Sequence, residues 1–242
     1  MKKWLVVLIL LLLTACTDDE PAIVKTESAP EDPGGEPELV EQVDEKDDET
    51  EKFIEFPLPD EQIRINLKKV PILDSYLHAS SDMQKAIERM KIERIPLDSA
   101  RIYLLEFSCE NELCSYLLFN RDVTDATYLL ADLAKSVAML PSPDQTKMLF
   151  LFDRKGSLPR PLSTIIVIDL ENWEHLSLKN ETSGEMVLNF TWPLSSVNWI
   201  DNETISAEKP AIPEPTDEGI QEWHNTNDSL VTNILFHVLA DN

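Results

Sequence analysis

The sequence predicts a mainly β protein with flanking helices, an α+β arrangement of antiparallel, blade-like sheets. Three observations support this fold class. Short apolar runs rich in β-branched and aromatic residues recur through the second half of the chain. Turn-forming residues separate these runs at short intervals. Helical spacing of apolar residues is confined to two segments, one near residue 85 and one at the end of the chain.

The N-terminal segment has the features of an export signal. Lys2 and Lys3 precede an apolar run of about ten residues, which is shorter than the roughly 20 residues needed to span a bilayer. Small residues follow the run, as they do before a signal-peptide cleavage point. We therefore predict that residues 1–15 are a signal peptide. An uncleaved signal anchor with an ordinary cysteine is the alternative.

The four residues Leu13-Thr14-Ala15-Cys16 resemble a bacterial lipobox. The resemblance implies that Cys16 becomes the first mature residue and carries the lipid, palmitate included. Stable anchoring needs more than one acyl chain, a condition that a diacylated or triacylated cysteine meets. The rest of the chain would then lie on the extracytoplasmic face of a bacterial cell membrane.

Residues 16–52 are predicted to be a disordered acidic tether. Residues 17–52 contain 15 Asp or Glu, three Lys and no aromatic residue. Such a composition buries too little apolar surface to offset the entropy of ordering. A calcium site around Asp44–Glu51 is the alternative, but the acidic residues there lack the fixed spacing and the turn-forming glycine of such sites.

The formal net charge of −24 restricts the class of partner. Nucleic acid requires a positively charged protein surface, so we exclude it as a partner. The same charge argues against a body that lies flat on anionic lipid.

A single folded domain is predicted over residues 53–242. Ile63, Ile65 and Leu67 alternate with polar residues, which predicts a strand. A capping box over Ser81–Gln84 predicts a helix that ends at Pro96, with its apolar face toward the core.

Residues 102–107 and 114–119 are predicted to form a hairpin with a turn over Glu110–Leu113. Cys109 and Cys114 flank the turn, and facing residues of a hairpin lie close enough for a disulfide. Export allows such a bond to persist, so we predict a Cys109–Cys114 disulfide. The spacing disfavours a redox CxxC site, and a zinc site lacks a second ligand pair nearby.

Further strands are predicted along the rest of the domain. They lie near residues 127–133, after the turn at Ser142-Pro143-Asp144, over 163–170 and 175–178, and on both sides of Asp201. The turn Ser142-Pro143-Asp144 resembles the repeat of TolB-type β-propellers, in which glycine usually stands where this chain has Gln145. That resemblance, over roughly residues 100–206, implies blade-like units that start near Arg101, Lys147 and Glu203. The domain is then either a truncated or open propeller-like domain or an α+β sheet.

The last part of the chain is predicted to be a linker followed by a helix. Pro210, Pro213 and Pro215 break the strand pattern, and a polyproline ligand is the alternative to a plain linker. Apolar residues between Leu230 and Leu239 recur at helical spacing, which predicts a C-terminal helix.

The sequence carries no recognisable catalytic, metal-binding or cofactor-binding motif. His78, His175, His224 and His237 are the only histidines, and none has the spacing of a known metal motif. We therefore expect a non-catalytic binding or adaptor module with a protein partner in the cell envelope, without metal or cofactor. The alternative is an extracytoplasmic hydrolase that acts on cell-envelope components.

Overall fold

The structure is a computed structural model that describes residues 21–26, 30, 32–43, 50–97, 101–123, 127–156, 158–182, 186–226 and 229–239. Over these residues the protein is mainly β with antiparallel sheets and few helices, which confirms the predicted class at this level. The helices are α1 (Pro71–Ala79), α2 (Met83–Glu88) and α3 (Asp217–Asn225), and a 3-10 helix spans Leu67–Lys69. The strands are β1 (Ile23–Lys25), β2 (Glu38–Val43), β3 (Thr50–Pro57), β4 (Gln62–Asn66), β5 (Lys91–Arg94), β6 (Ile102–Glu110), β7 (Leu113–Asn120), β8 (Thr127–Pro141), β9 (Lys147–Arg154), β10 (Leu162–Asp169), β11 (Glu174–Asn180), β12 (Ser195–Trp199), β13 (Thr204–Pro210) and β14 (Val231–Leu239).

A small four-stranded sheet has the order β1-β4-β3-β2. Two of its strands, and the first three residues of β3, lie where the sequence predicted a disordered tether, so that prediction is wrong for Ile23–Lys25, Glu38–Val43 and 50–52. The reason is a long-range pairing: Ile23 lies opposite Ile65 and is 1% exposed, so β4 supplies an apolar partner that local composition does not reveal. Residues 44–49 and Cys16 lie outside the described residues.

A ten-stranded sheet contains the remaining strands in the order β12-β13-β14-β11-β10-β9-β8-β7-β6-β5. The predicted strands around residues 102–107, 114–119, 147–152, 163–170 and 175–178 are all present. Strand β8 is longer than predicted because its first half pairs with β7 and its second half pairs with β9. Register shifts between Cys114 and Leu117 and between Ser136 and Ala138 bend the pairings on both sides of this strand.

The helix predicted after Ser81 is present but shorter than expected. Helix α2 spans Met83–Glu88, and its N-cap is Asp82, which accepts a hydrogen bond from the Lys85 amide at 3.2 Å. The predicted end at Pro96 is wrong, because strand β5 begins at Lys91 and pairs with β6. Helix α1, with Pro71 at its first position, was not predicted; proline suits that position because its missing amide hydrogen is not needed there.

The predicted C-terminal helix is a strand. Strand β14 pairs with β13, with Val231 opposite Pro210 and His237 opposite Thr204, and it pairs with β11 at its end. Ile234, Phe236 and Val238 are buried at a spacing of two, whereas Leu239 remains 39% exposed. The helix was predicted from Leu230, Ile234, Leu235 and Val238. Two of these, Ile234 and Val238, are four residues apart, a spacing that places them on one face of a helix and also on one face of a strand.

Three apolar clusters form the core. The first lies between the small sheet, helices α1 and α2, and one face of β6 and β7, and includes Ile54, Leu73 and Phe119. The second and third lie on opposite faces of β9 and β10, since Phe150 belongs to one and Leu149 to the other. Strands β9 and β10 are thus buried on both faces.

The ten-stranded sheet curls so that its β12 edge approaches β8. The Trp199 indole donates a hydrogen bond to the Leu140 carbonyl at 2.9 Å, and the Asp144 amide donates to Asn202 Oδ1 at 3.1 Å. Trp192, which is fully buried, pairs with Ser163 of β10 through an isolated β-bridge. None of the helices in the described part of the chain is long and apolar enough to cross a membrane.

Candidate functional site

The predicted cysteine pair lies at the tip of the β6–β7 hairpin. The sulfurs of Cys109 and Cys114 are bonded to each other, with their Cα atoms 4.1 Å apart. Asn111 and Glu112 form the turn with φ values of 49° and 69°. A five-residue separation closes a short loop, so this disulfide mainly fixes the turn.

Glu106 lies beside the disulfide, and its carboxylate and the two sulfurs lie within 4.8 Å of one another. Cys109 Sγ is 3.6 Å from Glu106 Oε1, while Glu106 Oε2 accepts a hydrogen bond from the Tyr116 hydroxyl at 3.3 Å. Metal ligation by cysteine requires a thiolate, which a disulfide sulfur is not. With the disulfide formed, Glu106 and the two cysteines therefore have a structural role.

A groove forms beside helix α3, which follows β13 and precedes β14 in the chain. Thr216 caps the helix, because its hydroxyl accepts a hydrogen bond from the Gly219 amide at 3.1 Å. Ile220, fully buried, holds the helix against the core. Trp223 donates its indole hydrogen to the Leu230 carbonyl at 2.6 Å, which fixes the ring against the start of β14.

The groove has a volume of about 560 Å³ and is lined by both apolar and polar residues. Its apolar lining consists of Ala211, Ile212, Pro213, Trp223 and Leu230. Leu230 is 71% exposed. A second cavity of about 200 Å³ shares Trp223 and extends toward Pro193 and Val231. We call both cavities the Trp223 groove; polar residues line them beside the apolar ones, and Arg160 lines the smaller cavity.

The rim of the larger cavity of the Trp223 groove is acidic. Glu214 and Glu222 line its larger cavity, and both are exposed. Asp217 and Glu218 lie in the first turn of α3, where negative charge is favoured by the helix dipole. Tryptophan beside carboxylates is a surface that attracts cations attached to apolar groups. The groove can therefore accept an apolar side chain with a positive charge next to it.

A second cleft lies between the first half of β8 and strands β10 and β11. It has a volume of about 380 Å³ and includes Leu129, His175 and Arg154. The Arg154 guanidinium lies 3.9 Å from the centre of the Phe190 ring and donates to the Asp132 carbonyl at 2.7 Å. These contacts hold the Arg154 guanidinium against β8 and the Phe190 ring, so Arg154 has a structural role in this cleft.

Shifted pKa values are found for one carboxyl in the core and for two in turns. Burial raises the pKa of the Asp153 carboxyl, although that group accepts a hydrogen bond from the Ser163 hydroxyl at 2.6 Å. A hydrogen bond from the Ser142 hydroxyl lowers the pKa of Asp144, and one from the Glu203 amide lowers that of Asp201. Both of these aspartates stabilise tight turns between strands.

Sequence reasoning missed the Trp223 groove. The prolines at 210, 213 and 215 suggested a plain linker, whereas they lead into helix α3. The available signal was Thr216 followed by two acidic residues and the pair Ile220 and Trp223, three residues apart, which is a helix start with an apolar face. Of the four histidines, only His175 lines one of the clefts described above.

Comparison with protein-family models, with curated proteins and with solved structures finds no match for this chain.

Proposed function

We propose that the protein is a lipid-anchored binding module on the extracytoplasmic face of a bacterial cell membrane, with the Trp223 groove as its binding surface. The anchor is Cys16, on the strength of the lipobox resemblance and of an apolar run that is too short to span a bilayer. The partner is a protein segment with an apolar residue next to Lys or Arg.

The observation that carries this proposal is the combination of Trp223 and Leu230 with an acidic rim. An exposed leucine beside tryptophan gains free energy when a partner covers both, at about 25 cal/mol per Å² of apolar surface buried. Glu214 and Glu222 attract a cation and disfavour acidic partners. Charge complementarity therefore selects a basic, apolar segment.

The blade-like character of the sheet is part of the same proposal. Asp144 accepts a backbone hydrogen bond in the turn before β9, Asp201 accepts one in the turn between β12 and β13, and the two turns are joined through Asn202. We regard strands β9–β11 and β12–β14 as two blade-like units of an open, propeller-related sheet that present loops to partners.

The lipid anchor is tested by replacing Cys16. Full-length protein and the variant Cys16→Ser are expressed in bacteria with radioactive palmitate, and the cells are fractionated. The proposal expects label and membrane retention in the wild type and loss of both in the variant. Equal labelling and retention in the variant would rule out the anchor.

The binding surface is tested by site-specific photocrosslinking in intact cells. A photoreactive residue replaces Leu230 in the groove or, as the control, Val123, which is 39% exposed elsewhere. We expect a crosslink to one protein from position 230 only, at a site within a few residues of Lys or Arg. The double variant Glu214→Gln/Glu222→Gln should lower its yield about tenfold, whereas Glu171→Gln/Glu181→Gln should not. Equal crosslinking from both positions, or no effect of the groove charges, would contradict the proposal.

A further inference from the structure

We propose that the cleft between strand β1 and the adjoining ends of β6 and β7 is a binding site for a phosphate group. The cleft has a volume of about 510 Å³. All three of its charged lining residues, Lys25, Arg101 and Arg121, are basic. The chain as a whole has 45 acidic against 21 basic residues, so such a lining is the opposite of the average surface. This site is separate from the Trp223 groove and does not depend on the lipid anchor.

The three basic side chains come from different strands that the fold holds together. Lys25 ends β1, Arg101 directly precedes β6 and Arg121 directly follows β7. The Arg121 amide donates a hydrogen bond to the Arg101 carbonyl at 3.1 Å, which fixes the two backbones side by side. The donors therefore approach the cleft from several directions without a change in the fold.

A buried carboxylate orients two of the three cations. Glu61, whose side chain is 8% exposed, accepts hydrogen bonds from the Tyr103 hydroxyl at 2.8 Å and from Arg121 Nη1 at 3.2 Å. Lys25 Nζ lies 3.7 Å from the same Glu61 oxygen that Arg121 contacts. Because a guanidinium has five N–H donors, Arg121 is held in place by one nitrogen and keeps other donors for a ligand.

The cluster has an excess of one positive charge. Arg101 pairs with Asp122, and Lys25 and Arg121 share Glu61, so three cations face two carboxylates. The contact of Lys25 with Glu61 is longer than a hydrogen bond, and the side chains of Lys25 and Arg101 are 48% and 50% exposed. The pair of Arg101 with Asp122 is exposed and therefore weak, and Lys25 is held only by a long contact, so an anion can draw both side chains toward itself.

Phosphate fits this arrangement better than a carboxylate does. A tetrahedral phosphate presents oxygen acceptors in three or four directions, whereas a carboxylate presents two oxygens in one plane. Arginine recognises phosphate through paired N–H donors, and lysine adds a point charge. Donors that approach from separate strands therefore match phosphate, which accepts hydrogen bonds from more directions than a carboxylate does.

The phosphate group has two sources, a soluble ion or ester and a lipid headgroup. Pro21, which lines the cleft, follows Cys16 by five residues, a contour length of at most about 18 Å. A lipid on Cys16 would therefore hold the cleft near the headgroups. Asp18, Asp19 and Glu20 lie between the two in the sequence, so the local donors, and not the net charge, have to provide the attraction.

The test measures the thermal unfolding of the full-length protein in two arms. In detergent, inorganic phosphate is compared with chloride at equal ionic strength. In nanodiscs, phosphatidylglycerol in digalactosyldiacylglycerol is compared with digalactosyldiacylglycerol alone, which has no phosphate. We expect at least one of the two phosphate sources to raise Tm by about 3–5 °C at tenfold excess over Kd. The arm that responds identifies the source.

The double variant Lys25→Gln/Arg101→Gln should lose this rise in Tm. The matched control Arg89→Gln/Lys155→Gln removes two exposed positive charges elsewhere and should keep it. Tm of each variant without phosphate shows that the fold is intact. The proposal is overturned if neither arm raises Tm, or if the cleft variant responds as the wild type does. Neither result bears on the test of Cys16 or of the Trp223 groove.

Discussion

Gln145 adopts a left-handed backbone conformation, with φ of 60°, in the turn between β8 and β9. This is the position at which the resembling repeat usually has glycine. The turn persists because Asp144 accepts hydrogen bonds from the Thr146 amide at 3.1 Å and the Ser142 hydroxyl at 2.6 Å. The surrounding hydrogen bonds thus compensate for a residue that does not favour this conformation.

Replacing Gln145 with glycine should therefore give a more stable protein than replacing it with alanine does. We expect Gln145→Gly to raise the free energy of unfolding by about 1 kcal/mol relative to Gln145→Ala, since only glycine avoids the steric cost of positive φ. Urea unfolding of both variants measures the difference. An alanine variant as stable as the glycine variant would show that the turn is not strained at this residue.

Tyr103 connects the small sheet to the large one through its hydrogen bond to Glu61. Burial, and then the hydrogen bond to Glu61, raise the pKa of Tyr103 to about 12. The unfolded chain has a tyrosine pKa of about 10. Because the folded state holds the proton more tightly, the resulting stability is present below pH 10 and is lost as the pH rises through 12.

Tyr103→Phe should thus weaken the dependence of stability on pH between about 10 and 12. The free energy of unfolding is measured in urea across this range, and tyrosine ionisation is followed by absorbance. The step in tyrosine absorbance near pH 12 should disappear in Tyr103→Phe and remain in Tyr76→Phe. An unchanged step in Tyr103→Phe would contradict the assignment.

At the scale of elements, the strands with strong local signals were predictable. The run Ser163–Leu170 predicted β10, and the cysteine-flanked turn predicted the β6–β7 hairpin, because each pattern is complete within a few residues. Strands β1 and β2 were not predictable, since their stability depends on pairing with β4 and β3 far along the chain. The Trp223 groove was not predictable either, because its walls come from separate segments: α3, the loop before it and the start of β14.

Strand β14 shows how one apolar pattern can fit two periods. The helix prediction placed Leu235 in the core, whereas in the strand Phe236 is 1% exposed. We expect Phe236→Ala to lower the free energy of unfolding by about 3–5 kcal/mol, as for other buried aromatic residues. Leu235→Ala should cost less than half as much. Urea unfolding of the two variants distinguishes strand from helix, and the reverse order of costs would favour the helix.

At the scale of the whole molecule, the net charge of −24 opposes compactness. We expect Tm to rise as sodium chloride increases from about 20 to 200 mM, because salt shortens the range of charge repulsion to about 8–10 Å. Differential scanning calorimetry measures this change. A fall in Tm would mean that the ion pairs, such as Arg121–Glu61, contribute more than the repulsion does.

The order of strands in the large sheet also determines how the protein bears mechanical load. The small sheet packs on β6 and β7, whereas the Trp223 groove lies at β13 and β14, near the other edge. A partner that pulls on the groove of a molecule tethered near β1 would stretch the sheet across its strands. A load applied at β14 would then act across the strand pairs from β14 to β7, and β12 would lie outside its path. Traction would therefore tend to part the half of the sheet that carries the groove from the tethered half.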